Sequence, residues 1–230
     1  MNNQANDTRS IPIGGAVNVS SSARALVLTS LFTAIILIMA FVPNLGYINL
    51  IIIKATLIHI PVIIGSIFQG PKRGAFLGGI FGLTSFINNT LNPSVLSFAF
   101  SPIVSFSMFG PVGVLKSLFI CFVPRIMIGV GAYYVCRAVL SRGKGKVIRS
   151  IAYAASGVAG AMIDTLLVMG SIFFLYSSAY AEARQIPEAG VFNSIIGIVF
   201  GQGLLEAIVS GIIVSAVGTA IAAASKSSAA

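Results

Sequence analysis

The stretch LVLTSLFTAIILIMAFV, residues 26–42, holds 17 residues without one charge. A hydrocarbon core about 30 Å thick is crossed by roughly 20 apolar residues in helical form. Runs of this kind recur along the chain, and they do not alternate polar and apolar at every second position as a membrane barrel strand does. Charged residues make up 8% of the 230, against about 25% in a soluble domain. The sequence therefore predicts an all-α integral membrane protein, a bundle of six transmembrane helices.

The predicted spans are 25–42, 50–69, 73–91, 112–140, 148–178 and 191–223. Pro43-Asn44 and Gly70-Pro71 are turn signals that close the first two. Residues 92–111 are divided by Pro93, Pro102 and Pro111 and are expected to form a long loop dipping back over the bundle. Residues 1–24 are polar and lack the apolar stretch of a signal peptide, so they read as a disordered cytoplasmic tail. The membrane domain then covers 25–223, and 224–230 form a cytoplasmic C-terminal tail. No internal repeat is visible, which argues against inverted-repeat transporter folds.

Basic residues set the orientation. Arg9, Arg24, Lys72, Arg73, Arg137, Arg142, Lys144, Lys146, Arg149 and Lys226 fall on one side of the predicted spans. Arg184, flanked by Glu182 and Glu188, falls on the other. The positive-inside rule then puts both termini in the cytoplasm of a multi-pass protein of the cell membrane. The net charge of +9 is mostly topological, and it implies no nucleic-acid partner.

Four basic groups remain, away from the ends of the predicted spans: Lys54, His59, Lys116 and Arg125. Arg125, in CFVPRIMIG, has no other charge within eight residues on either side. An intramembrane charge costs at least about 2.5–3.5 kcal/mol unless it is paired. Asp164 and Glu206 are the acids at matching depth, so Arg125 has a salt bridge to one of them or a substrate carboxylate as its partner. Lys54 and Lys116 stand nearer the outer surface and either snorkel outward or attract an anionic solute. His59 is either a satisfied core histidine or a ligand to the solute.

A polar cluster stands at the outer end of the third span. SFINNTLNP supplies Ser85, Asn88, Asn89, Thr90 and Asn92, neutral donors and acceptors suited to hydroxyls and amides. The competing reading is helix capping and turn formation. Tyr47 and Asn49 add to the cluster from the neighbouring outer loop. Small residues recur at Gly203, Ala207, Gly211 and Ser215 and at Ala25, Thr29 and Thr33, beside Ser30 and Ala34. Such stripes let helices approach closely, inside the bundle or, for the first span, against a partner. No phosphate loop, metal-ligand spacing or nucleophile–histidine–acid set is present, so an enzyme, a cofactor and a metal are not expected.

The ordered motifs HIPVIIG, GP, GAFLG, FGLTSF and FVPRIMIG resemble the S components of energy-coupling factor (ECF) vitamin transporters over residues 25–223. NNTLNP and SFAFSP look most like the pantothenate-specific branch. The resemblance implies a subunit that captures a vitamin outside with no cofactor of its own. It implies docking on a membrane-embedded scaffold subunit and two ATPase subunits, followed by toppling in the bilayer. The family's Ala-x-x-x-Ala docking motif maps onto Ser30-x-x-x-Ala34, with Thr29 and Thr33 beside it. Pantothenate, with its carboxylate, hydroxyls and amide, suits a site drawn from Tyr47, Asn49, Lys54, His59, Asn88, Asn89, Thr90, Asn92, Lys116 and Arg125. The alternatives are an S component for riboflavin, cobalamin or folate, and an autonomous membrane facilitator.

Overall fold

The computed structural model describes residues 21–42, 45–50, 53–143 and 145–227. Its architecture is helical with one small hairpin. The order is α1 (Ser21–Phe41), β1 (Tyr47–Leu50), β2 (Ile53–Thr56), α2 (His59–Gln69), α3 (Pro71–Leu91), α4 (Ser97–Phe100), α5 (Pro102–Leu140), α6 (Lys146–Arg184), α7 (Val191–Ile198) and α8 (Leu204–Ser227). A π-helical segment, Val199–Gly203, joins α7 to α8. Among the described residues, four helical stretches are long and apolar enough to cross a membrane: Ser22–Phe41, Pro102–Leu140, Lys146–Arg184 and Glu188–Ser225.

Two expectations need correction. Residues 50–69 do not form one helix. The β-branched Ile53 and its neighbours favour extended backbone, and β1 and β2 pair antiparallel with Asn49 opposite Lys54 and Tyr47 opposite Thr56. Only 11 residues remain for α2, about 16 Å of helix. Nor is 92–111 a loop throughout. Pro102 takes the first turn of α5, where proline's missing N–H costs nothing, and the Ser101 side chain accepts from Val104 N to cap that turn.

Gly–Pro pairs make two of the corners. Gly70 adopts φ 93° and Gly110 adopts φ 65°, a region that side chains with a Cβ avoid. Pro71 and Pro111 follow and start new helical segments. The first pair closes α2 and opens α3; the second kinks α5.

α2 is the hub of the bundle, with every residue from His59 to Ser66 buried. Ile36, Ile58, Leu77, Phe81, Ile128 and Val214 gather around it. A second apolar cluster, including Phe98, Ile120, Val168, Tyr176, Tyr180 and Val191, fills the end where α4, α6 and α7 meet. Backbones come close through glycine. A Cβ on Gly78 of α3 would run into the backbone carbonyl of Arg125 on α5. The stripe on α8 works similarly: Gly203 faces Thr165 and Gly211 faces Val158 of α6, while Ser215 and Ser150 bond through their hydroxyls at 2.8 Å. Internal packing is thus what that stripe serves.

Helix polarity separates two ends. The α2–α3 joint, the end of α5 and the start of α6 share the basic end, where Gln69, Gly70, Arg137 and Tyr153 line a common cleft. The hairpin, the end of α3, α4 and the kink of α6 share the opposite end, called here the hairpin end.

Candidate functional site: a buried polar cluster below the hairpin

Arg125 lies buried on α5, its guanidinium carbon 5.4 Å from the Phe81 ring and 5.2 Å from the Phe100 ring. Pro124, next to it, has no N–H to give the carbonyl four residues back. That carbonyl is Ile120's, and Arg125 Nη1 donates to it at 3.0 Å. Arg125 Nε stands 3.8 Å from Asp164 Oδ1 on α6. That separation suits an ion pair and is too long for a hydrogen bond. Between the two acids, the arginine has chosen Asp164.

Glu206, on the first turn of α8, is spent differently. Its Oε1 accepts from the backbone N–H of Thr56 at 2.8 Å and from Gln202 Nε2 at 2.9 Å. It remains within electrostatic reach of Asp164 and Arg125. His59 opens α2 beside the same groups, completely buried. Neither of its ring nitrogens makes a hydrogen bond of normal geometry, although Asp164, Arg125 and the Thr56 backbone all act on it. Arg125 Nε and Asp164 Oδ1 are likewise buried without a hydrogen bond. Three helices thus bring unsatisfied polar groups to one point, and a buried polar group without a partner costs about 1–3 kcal/mol. Such a point suits a guest with hydroxyls or amides.

Lys116 shows the same logic as Arg125. α6 leaves helical geometry at Tyr176, φ −140° and ψ 30°, which takes the neighbouring carbonyl of Leu175 out of the regular ladder. Lys116 Nζ donates to that carbonyl at 3.0 Å and lies 5.3 Å from the Tyr176 ring centroid. The Tyr176 hydroxyl in turn donates to Gly113 O at 3.0 Å and pairs with Ser105 Oγ at 2.6 Å. Among the described residues no carboxylate pairs with Lys116, so its charge stays uncompensated.

The asparagines and threonine of α3 hold a helix end together. Asn89 Nδ2 donates to Ser85 O, Asn92 Nδ2 to Asn88 Oδ1, and Thr90 Oγ1 to Phe86 O. Asn89 Oδ1 also accepts from Ser97 Oγ at 3.3 Å, and Thr90 and Ser101 bond at 2.7 Å. These bonds tie α3 to α4 and the start of α5. Capping accounts for most of this polarity, although the same groups rim the hairpin end. The side chains of Tyr47, Asn49 and Lys54 lie outside the described residues.

On α1 the small residues divide between two faces. Thr29 Oγ1 lies 2.6 Å from Gln69 Oε1 of α2, and the Thr33 hydroxyl is buried. Ser30 and Ala34 are exposed, in company with Leu26, Leu31, Leu37 and Phe41.

Sequence reasoning named Asp164 and Glu206 only as partners for Arg125, and it missed Gln202, Ser105 and Tyr176. A GQG triplet inside an otherwise apolar span was the available signal for Gln202. Surface clefts lie away from the cluster, between α6 and α8 and at the basic end. His59, Arg125 and Glu206 are buried, and Asp164 is partly so.

Comparison with known proteins bears on what that cluster serves. The sequence model of the ECF transporter substrate-specific component matches residues 24–218. The chain belongs to that family. The pantothenic acid transporter PanT of Lactococcus lactis subsp. cremoris is 36% identical over 165 residues, covering 68% of this chain and 76% of that protein. The pantothenate transporter PanT of Leuconostoc mesenteroides subsp. mesenteroides is 29% identical over 208 residues, covering 88% and 94%. This member of the ECF family is accordingly a transport subunit and a multi-pass membrane protein, in keeping with its apolar helices.

Proposed function

We propose that the protein captures pantothenate outside the cell and passes it inward while docked on an ATP-driven ECF module. The observation that carries this reading is the 36% identity to a pantothenic acid transporter across two thirds of the chain. The site's chemistry agrees with it. Pantothenate has a carboxylate at one end and hydroxyls and an amide elsewhere. The unsatisfied groups of His59, Arg125 and Asp164 suit the hydroxyl and amide functions, because the arginine's charge is already balanced by Asp164. Lys116, unpaired and toward the hairpin end, suits the carboxylate. Asn88, Asn89, Thr90 and Asn92 rim the entrance, with Tyr47, Asn49 and Lys54 supplied by the hairpin.

Six crossings follow if α3 supplies one and α2 together with the hairpin before it supplies another beside the four long helical stretches, with both termini cytoplasmic. The exposed Ser30–Ala34 face of α1 is the docking surface for a scaffold subunit that carries two ATPases. Native mass spectrometry of the purified protein tests the substrate. Pantothenate is expected as the co-purified molecule, and added pantothenate should raise the melting temperature. Riboflavin or folate in its place would overturn the assignment.

A further inference from the structure

Among the described side chains, no cation forms a direct ion pair with the acid of α8. Glu206 is buried and accepts the Thr56 N–H at 2.8 Å across 150 residues of sequence. Thr56 ends β2, and the hairpin's own pairing is internal, strand to strand. Its base is closed by Leu57 N donating to Gly46 O at 2.9 Å. The bond to Glu206 stitches this ribbon to the far side of the bundle. The carboxylate is aimed by Gln202, at 2.9 Å, from within the π-helical Val199–Gly203. A π segment adds a residue to a helical turn and re-aims the side chains that follow it, and such segments cluster at functional sites. Three residues beyond Thr56 comes His59, in the buried polar cluster.

We propose that Glu206 is a positioning residue, a latch that holds the end of β2 down over the cluster and sets how fast a solute enters. Its role depends on the reading of that cluster as the solute site. A carboxylate accepting a backbone N–H makes a charge-assisted bond, stronger than a neutral one and removable without disturbing a helix ladder. Release of this bond frees the hairpin end without unpacking α2, whose anchoring is apolar. Glu206 therefore acts on entry through the ribbon and need not touch the solute.

Hydrogen–deuterium exchange on the vitamin-free protein in nanodiscs tests the latch independently of the substrate assignment. In the unsubstituted protein the Thr56 amide should be protected well beyond an exposed turn amide. Glu206→Ala should speed exchange over residues 53–57 by roughly 10- to 100-fold, with α3 and α5 unchanged. Glu206→Gln, which keeps an acceptor oxygen, should fall much nearer the unsubstituted rate. A Thr56 amide that exchanges freely in the unsubstituted protein overturns the latch even if Glu206→Ala fails to fold. So does exchange over 53–57 that ignores the alanine variant. Stopped-flow binding of pantothenate is the second arm, in which Glu206→Ala should raise the association and dissociation rates together. If pantothenate does not bind any variant while the exchange pattern holds, the substrate reading fails and the latch stands.

Discussion

A guanidinium within a membrane domain costs at least about 2.5–3.5 kcal/mol when unpaired, and Arg125 meets that cost from three sources. It has an acid at 3.8 Å, the Ile120 carbonyl that Pro124 leaves free, and two aromatic faces. Lys116 repeats the pattern at the break in α6. Each cation occupies a backbone oxygen that its own or a neighbouring helix has given up, so each charge repairs a defect in a ladder. Arg125→Met should then lower the stability of the vitamin-free protein by about 3–5 kcal/mol, because Asp164 is left buried without its counter-charge. Pairing it with Asp164→Leu should recover most of the loss. A thermal melt in detergent reads both, and an unaltered melt for the single variant would mean that Asp164 does not need the arginine. Lys116→Met removes a charge with no carboxylate partner but strands the Leu175 carbonyl, so it should lower the melt less than Arg125→Met does, and it should weaken pantothenate binding by about 2–5 kcal/mol, measured by calorimetry. Unchanged affinity would remove Lys116 from the site.

Helix contacts in this bundle depend on missing side chains as much as on those present. Gly78→Val would push two methyl groups toward the Arg125 carbonyl, so α3 and α5 must part. We expect about 1–3 kcal/mol of lost stability or more, seen as a lower melting temperature or failed expression. Substitution on the exposed face of α1 should behave in the opposite way. Ser30→Leu or Ala34→Leu should leave vitamin affinity intact and abolish uptake and co-purification with the ATPase subunits. Normal uptake would exclude that face as the docking surface. The long helices and the α8 stripe were legible in the sequence because hydropathy and four-residue spacing report them directly. The hairpin was not, since LIIIKATL is as apolar as a helix and only its β-branched isoleucines favour a strand. The helical start of α5 hid behind Pro102 and Pro111, which mark first turns as readily as loops.

For the whole molecule, the two ends differ in charge as the sequence suggested, and the candidate site lies nearer the sparsely charged one. If the basic asymmetry sets orientation, a cysteine introduced at Gly143 should react with an impermeant maleimide only from the cytoplasmic side. One at Glu188 should react only from outside. Reaction of both from one side would overturn the six-crossing topology. The site was only half visible beforehand. Arg125, Lys116 and His59 stood out as charges in grease and Asp164 as one of two candidate partners for the arginine, but Arg125 and Lys116 also bond to carbonyls, and a freed carbonyl leaves no letter in a sequence except the proline that freed it. Gln202 was invisible for a related reason: a π segment is a property of backbone winding that composition barely records.

The seclusion of Arg125 and Asp164 from water carries a consequence for the conditions under which this subunit works. Mobile ions screen exposed charges over about 10 Å at 0.1 M salt, but they reach a buried pair far less. A transporter that drew its solute in by surface charge would lose grip as its surroundings turned brackish. With its arginine walled between Phe81 and Phe100, this one should hold its fold almost unchanged from dilute medium to brine.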